Sequence, residues 1–477
     1  MLFLPDQPEL QLLQKMLRRG KTQVFLVGGY LRDAQVGRSG RDLDFAVSSG
    51  AVALARRFAR AVRGAFVLLD ADHGCGRVVR KRPDGLWTYD FADLRATTIR
   101  GDLRRRDFTI NTFAADISGI DGQLHQTPLR VIAHPRAKAD IAAKVIRMAF
   151  AAAFKEDPLR ILRAYSLSAQ LGFKIEPLTR ARIKAECSLI KAVSPERVRE
   201  ELFKILQSPR AARVIKAMDR DGVLFMVMPQ VRVMYGVVQG GYHHLDVWKH
   251  SLETLVQLEK LLVELAAEPD LKAYLDEEIA GGHRRGALLK LACLWHDSGK
   301  PDTMKKEPGG RTSFHGHEHV GRRIVQIMAR QLLFSTKERH ALEDMVALHL
   351  RPGYLANFKR PSDKAVFRYF RDAKDEAAAI LLLCLADQRA TRGPLTTDGD
   401  LAHMQAICLP LMRQYFQKKK EKPFVRLLGG DDLIRVLGLK PGPDFAVWLE
   451  QVEEAQHLGK ITTKEQALEF VRKAVTS

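Results

Sequence analysis

At 477 residues, with 46% hydrophobic and 28% charged side chains, the chain is too long for one core and has the composition of a water-soluble, multidomain globular protein. Its formal charge of +21 points to a polyanionic partner, nucleic acid first, because such a surface gains by releasing condensed counterions. No apolar run approaches the roughly 20 residues of a membrane helix, and the five cysteines, widely spaced and without a CxxC pair, argue against a disulfide framework or zinc knuckle.

The opening MLFLPDQPELQLLQKMLRRG has Asp6 and Glu9 interrupting any apolar stretch and its basic residues after it, so a helical lead-in to a cytoplasmic protein is expected rather than a signal sequence. From TQVFLVGGYLRD to FTINTFAADI, short apolar runs alternate with glycine turns and helical pieces such as AVALARRFARAV. This predicts an α/β head over residues 1–140. From about Ala142 onward alanine-, leucine- and arginine-rich helical periodicity takes over. Glycine-rich RVMYGVVQGGYHHLD and the turn-forming TRGPLTTDGD divide this body into 141–234, 235–395 and 396–477. Near the end, Thr462 with Glu465, or Thr463 with Gln466, is placed to form a capping box.

In VFLVGGYLRD an apolar strand runs into Gly28 and Gly29, then into a helix-compatible stretch with Arg32. Paired glycines there let main-chain N–H groups approach a phosphate closely. Downstream, RDLDFAV places Asp42 and Asp44 two apart on a strand, hence on one face, with Leu43 and Phe45 on the other. Two converging carboxylates suit Mg²⁺ and nucleotidyl transfer. A solvated strand end with the acids paired to Arg38 and Arg41 is the other reading.

The ordered set GGYLRD, RDLDFAV, RRRDFTINTFAAD, EDPLRILRAYSLSAQLGF and SPERVREELFKIL resembles the class II tRNA nucleotidyltransferases and bacterial poly(A) polymerases. The resemblance spans roughly residues 20 to 230. It implies an α+β, multidomain protein with a polymerase-β-type nucleotidyltransferase head and an all-helical body. It further implies Mg²⁺ held by Asp42 and Asp44, with Gly29 and Arg32 at the triphosphate and Asp90 as a third carboxylate, Asp93 being the reserve. Arg105, Arg106 and Asp107 match a motif that contacts ribose and phosphate; a basic turn on RNA backbone with a capping aspartate would look the same.

Asp157 before Pro158 also reads as a helix start. Arg160 and Arg163 follow at three-residue steps and share its face, where donors and an acceptor can meet a base edge. In the family the matching motif selects CTP and ATP without a template, and the partner is tRNA. CCA addition, addition of only CC or only A, and poly(A) synthesis all remain open on these motifs. Ser166 stands where the family commonly has an arginine, and VIAHPRAKAD replaces its usual Asp-Pro-Gly-Gly turn.

Within the helical body, His250, His296, Asp297 and Asp387 form an H…HD…D pattern that is similar to the HD phosphohydrolases, implying a divalent transition metal able to activate water. His315, His317, His319 and His349 are neighbours that either add a second metal or face solvent. A metal-dependent HD phosphohydrolase with an RNA-binding head is therefore the competing function.

Overall fold

Seven strands of the N-terminal part form one mixed sheet in the computed structural model, which describes residues 3–4, 6–18, 22–118, 120, 125–309, 311–421 and 424–476. The strands are β1 Val24–Val27, β2 Asp42–Val47, β3 Ala65–Asp70, β4 Cys75–Arg82, β5 Gly85–Asp93, β6 Phe113–Asp116 and β7 Val131–Ala133. Their order is β3-β4-β5-β2-β1-β6-β7, with only β2 and β5 parallel. The VIAHPRAKAD segment supplies the edge strand β7 and then the helix Ala137–Ala142.

One face of the sheet is covered by α1 (Pro8–Leu17) and α3 (Ala51–Val62). Alternation in β2 sends Leu43, Phe45 and Val47 into this core, where Phe45 stacks on Phe91 at 4.8 Å and Phe58 of α3 meets Tyr89 edge-on. Fully buried aromatic groups of this size stabilise by about 3 kcal/mol each. The other face is covered over β1 and β6 by α4 (Ile99–Arg104), through Ile99 and Leu103 against Phe25, Val27 and Ala114. α2 (Gly29–Gln35) follows β1 directly.

Contacts divide the chain into two units, one of residues 1–205 and 217–227, the other of residues 206–216 and 228–477. The first unit continues past the sheet into helices Leu159–Leu171 and Pro177–Glu186. It is tied internally by Asp221, whose carboxylate accepts from the Tyr165 hydroxyl at 2.8 Å and from the Arg180 guanidinium at 2.7–2.9 Å. Burial pushes this carboxyl up, but the Arg180 and Tyr165 hydrogen bonds outweigh it and leave it below its ordinary 3.8. Its contribution is therefore complete above about pH 4 and is lost as pH falls through the lowered value. Asp221→Asn is expected to cost about 1–3 kcal/mol at pH 7 and to flatten the acid side of a thermal-stability profile.

The second unit is helical. Ala377–Ala390, apolar on every side as far as Ala386, is its central helix, with Val247–Glu264, Arg285–Trp295 and Thr336–Leu348 packed around it. Asp246 caps Val247–Glu264, and Ser335 with Glu338 forms a capping box at Thr336–Leu348. At the C-terminal end, Leu433, Val452, Ile461, Ala467 and Val471 make a small separate core. There the capping pair is Thr463 with Gln466, which exchange side-chain and main-chain bonds. Among the described residues no helix is long and apolar enough to cross a membrane.

Candidate active site and metal centre

Asp42, Asp44 and Asp90 all line one cavity of about 680 Å³ in the first unit. Parallel pairing of β2 with β5 sets Asp44 opposite Asp90 and Asp42 opposite Thr88. The Thr88 hydroxyl donates to Asp42, and Arg77 of β4 grips Asp90 through two bonds of 2.7 and 2.8 Å. Burial pushes the Asp44 carboxyl up, with Asp90 and Asp42 adding to Arg106-opposed repulsion. An arrangement that raises a carboxyl this way is relieved by a cation, and hard oxygen donors fit Mg²⁺. The reserve carboxylate Asp93 lies outside the cavity: it is an odd number of residues from Asp90, faces α3, and accepts from the Ala51 N–H at 2.9 Å. Arg38 donates to the Gln170 carbonyl and Arg41 lies by Asp84, so neither neutralises the Asp42–Asp44 pair.

Gly28 lines the cavity as well, though not with a free N–H. Its N–H donates to the Phe113 carbonyl at 3.0 Å and so is spent on the sheet. What the glycine supplies is room: at φ +76° an added Cβ would stand 3.1 Å from an Asp44 oxygen and 3.2 Å from the Arg106 guanidinium. Gly28→Ala is expected to cost about 1–3 kcal/mol in stability and to reduce turnover further by displacing both groups, as thermal melts and initial rates would register. Gly29 opens α2 and lines the cavity with Arg32, whose guanidinium donates to Asn111 at 2.7 Å and to Asp33 at 2.8 Å.

Of the three residues in Arg105-Arg106-Asp107, the cavity takes two. The Arg105 side chain turns away to the Arg95 carbonyl, because the chain leaves α4 here, and only its own carbonyl is used, accepting from Arg160 at 2.9 Å. Arg106 is held by Asp102 at 3.2 Å. Asp107 is buried, which pushes it up, yet Arg163 at 3.2 Å, Asn111 and the Phe108 N–H outweigh this and hold it low.

Asp157, Arg160 and Arg163 line the same cavity. Asp157 accepts from the Leu159 N–H at 3.2 Å, the expected capping bond, and from Arg197 at 3.0 and 3.2 Å. Arg160 has two donors fixed on the Ala153 and Arg105 carbonyls. Ser166 donates to Glu201, itself paired with Lys204 at 2.8 Å. Arg77, Thr88, Asn111 and Arg197 escaped sequence reasoning. Asn111, four residues beyond Asp107, and Arg197, in SPERVREELFKIL, lie within the quoted motifs, whereas Arg77 and Thr88 carried no local signal.

The second unit holds another polar cluster, beside a cavity of about 530 Å³. Ligand atoms of His250, His296 and Asp387 lie within 4.8 Å of one another, as do those of Asp297, His317 and His349. Asp297 touches both triads, 3.2 Å from His296 Nε2 and 3.3 Å from His317 Nε2. The Nδ1 atoms of His296, His317 and His349 lie 3.0, 2.9 and 2.7 Å from the carbonyls of Cys293, Phe314 and Val346. These bonds turn each Nε2 toward the cluster in the manner of metal-ligating imidazoles. His296 Nε2 is buried without an aligned hydrogen-bond partner and faces the Asp297 carboxylate at 3.2 Å, an arrangement a divalent cation would satisfy. Burial alone would lower His296, but Asp297 and Asp387 override it and push it up to about 10. Lys300 reaches Asp297 at 2.7 Å. Of the four neighbouring histidines, His317 and His349 join the cluster while His315 and His319 face solvent, since the helix His317–Gln331 begins between them.

The sequence matches the model of the poly A polymerase head domain over residues 24–147, that of a probable RNA and SrmB-binding site of polymerase A over 172–234, and that of the HD domain over 247–391. It is 35% identical to an A-adding tRNA nucleotidyltransferase of Deinococcus radiodurans over 94% of both chains. It is 30% identical to a CC-adding tRNA nucleotidyltransferase of Thermus thermophilus, over 94% of this chain and 92% of that one. A similar match, 31% over 97% and 94%, is to the CC-adding tRNA nucleotidyltransferase of Geobacter sulfurreducens. The fold is similar to a CCA-adding enzyme solved with CTP, at TM-score 0.63 and 19% identity over 99% of this chain and 97% of that one. It is also similar to the Thermotoga maritima CCA-adding enzyme complexed with tRNA, at TM-score 0.59 and 19% identity over 98% and 96%.

Proposed function

The chain belongs to the tRNA nucleotidyltransferase family with a poly(A) polymerase-type head, and from this we propose that it adds CMP and AMP, taken from CTP and ATP, to rebuild the CCA end of tRNA without a nucleic-acid template. The observation that carries the reading is the single cavity that gathers Asp42, Asp44 and Asp90 with Asp157, Arg160 and Arg163.

In this reaction the RNA 3′ hydroxyl attacks the α-phosphorus, a new phosphodiester forms, and the bond to the β-phosphate breaks to release pyrophosphate. Asp42, Asp44 and Asp90 would hold Mg²⁺, which when bound neutralises the phosphates and favours ionisation of the attacking hydroxyl. Arg32 and Arg106 gather the triphosphate, and the space at Gly28 lets it approach the carboxylates. Asp157 accepts from the base, while Arg163 and the uncommitted donors of Arg160 meet its acceptors; Arg197 keeps Asp157 turned toward the cavity. Positioning and charge neutralisation supply most of such catalysis.

The experiment presents two acceptors, tRNA ending before CCA and tRNA ending in CC, with each labelled nucleotide singly. CMP on the first and AMP on the second support the reading; a chain that serves one acceptor alone performs one part of the task, as the named relatives do. Equal use of GTP or UTP sinks the proposal.

A second activity is supported by the paired triads around Asp297: two divalent cations there would make a metal-dependent phosphohydrolase of the HD type, with Lys300 beside the bound phosphate.

A further inference from the structure

The face of the sheet that carries the carboxylates continues beyond them. Cross-strand register lays Asp44, Asp90, Arg77 and Val67 in one row across β2, β5, β4 and β3. Val79 stands in the next row, opposite Thr88, and Lys81 pairs with Leu86 in the row after. Directly paired residues share a face, so Val67, Val79 and Leu86 lie on the side of Asp42 and Asp44. The other face of β2, β5 and β4 is closed by core, with Val78, Tyr89 and Phe91 fully buried, while on β3 Leu68 of that face is 45% exposed. α4 packs over β1 and β6, and Val67 and Leu86 are left 45% and 61% exposed. The sheet therefore ends, on its catalytic side, in an open aliphatic shelf with Arg77 and Lys81 set into it.

The interleaving of exposed aliphatic side chains with cations, beside the carboxylates, restricts the occupant by its chemistry. A shelf of aliphatic side chains interleaved with cations suits unpaired nucleotides, whose bases present flat apolar faces and whose backbone is anionic. Val67 lies three inter-strand spacings, about 14 Å, from Asp44, so a strand crossing the sheet can set its terminal hydroxyl at the carboxylates with the preceding nucleotides over the shelf. We propose that the Val67–Val79–Leu86 shelf binds the unpaired 3′-terminal nucleotides of the RNA acceptor, with their phosphates near Arg77 and Lys81. The inference rests on the nucleotidyltransferase reading and adds to it the path by which the acceptor end enters. Aliphatic contacts carry no base code, so one shelf serves an end whose sequence changes with each addition.

The test uses the full-length V67A/L86A variant, whose changes are at exposed positions, with two acceptors: normal tRNA and tRNA lacking the bases of its last two nucleotides. Base removal is expected to raise the RNA KM of the unmodified protein about tenfold. The variant should show the same rise with normal tRNA and an unchanged nucleotide KM, and the two changes together should be no worse than either. Additive effects, or an unaltered RNA KM in the variant, overturn the proposal. So does a dimer lost in the variant by light scattering with RNA KM intact, which would assign the shelf to a second copy. If the unmodified protein incorporates nothing, the nucleotidyltransferase reading fails instead. Equilibrium binding then decides the shelf: weaker binding of the base-free RNA, abolished as a difference in V67A/L86A, supports it, and equal affinities overturn it.

Discussion

Asp44→Ala is expected to lower nucleotide incorporation at least about a thousandfold, with little change in nucleotide KM and no loss of fold. The carboxylate stands in the cavity wall opposite Asp90 and two residues from Asp42, so its removal takes the central member from the three carboxylates on these neighbouring strands. Arg106 and Arg163 oppose the repulsion only in part, and Asp44 remains raised. An acid held in that state costs stability in the absence of a cation. Asp44→Asn should therefore inactivate as completely while the metal-free protein melts no lower than the unmodified one. Melting curves and single-turnover incorporation, run side by side, separate a catalytic role from a structural one; retained incorporation would remove Asp44 from the site.

The second large effect is expected at Asp297. It contacts ligand atoms of both triads, being close to His296 on one side and His317 on the other. Metal-free protein titrated with Mn²⁺ by calorimetry should bind two ions. His349→Ala should bind one, and Asp297→Ala should weaken both by about a hundredfold or more. Hydrolysis of a simple aryl phosphate should fall with metal content while tRNA extension is unchanged. Two ions bound by the Asp297→Ala variant with native affinity would refute the shared-ligand arrangement.

What could be read ahead of the structure follows the range of the physics involved. Alternation along one strand is local, so Asp42 and Asp44 on one face and Leu43 and Phe45 on the other were legible in RDLDFAV. Choosing Asp90 over Asp93 was harder, because both lie in one strand and only pairing with β2 decides which meets Asp44 and which caps α3. Arg77 and Thr88 are invisible without cross-strand register, since nothing near them in sequence distinguishes them from ordinary strand residues. The arginines of RRRD show the reverse limit: the motif is plain, but where the chain turns after α4 determines that Arg106 enters the cavity and Arg105 gives only its carbonyl. In FHGHEHVG the spacing could not select His317 from its neighbours; the start of a helix does.

The most direct test of the central claim is the length and sequence of what the protein writes. Purified protein, Mg²⁺, all four nucleotides and tRNA ending before CCA, incubated to completion and sequenced from the 3′ end, should yield products extended only by C and A in the order of CCA and no longer. An enzyme performing one part of the task stops within that sequence. Long adenylate tails, mixed-base tails, or no extension of either tRNA ending before CCA or tRNA ending in CC would contradict the account.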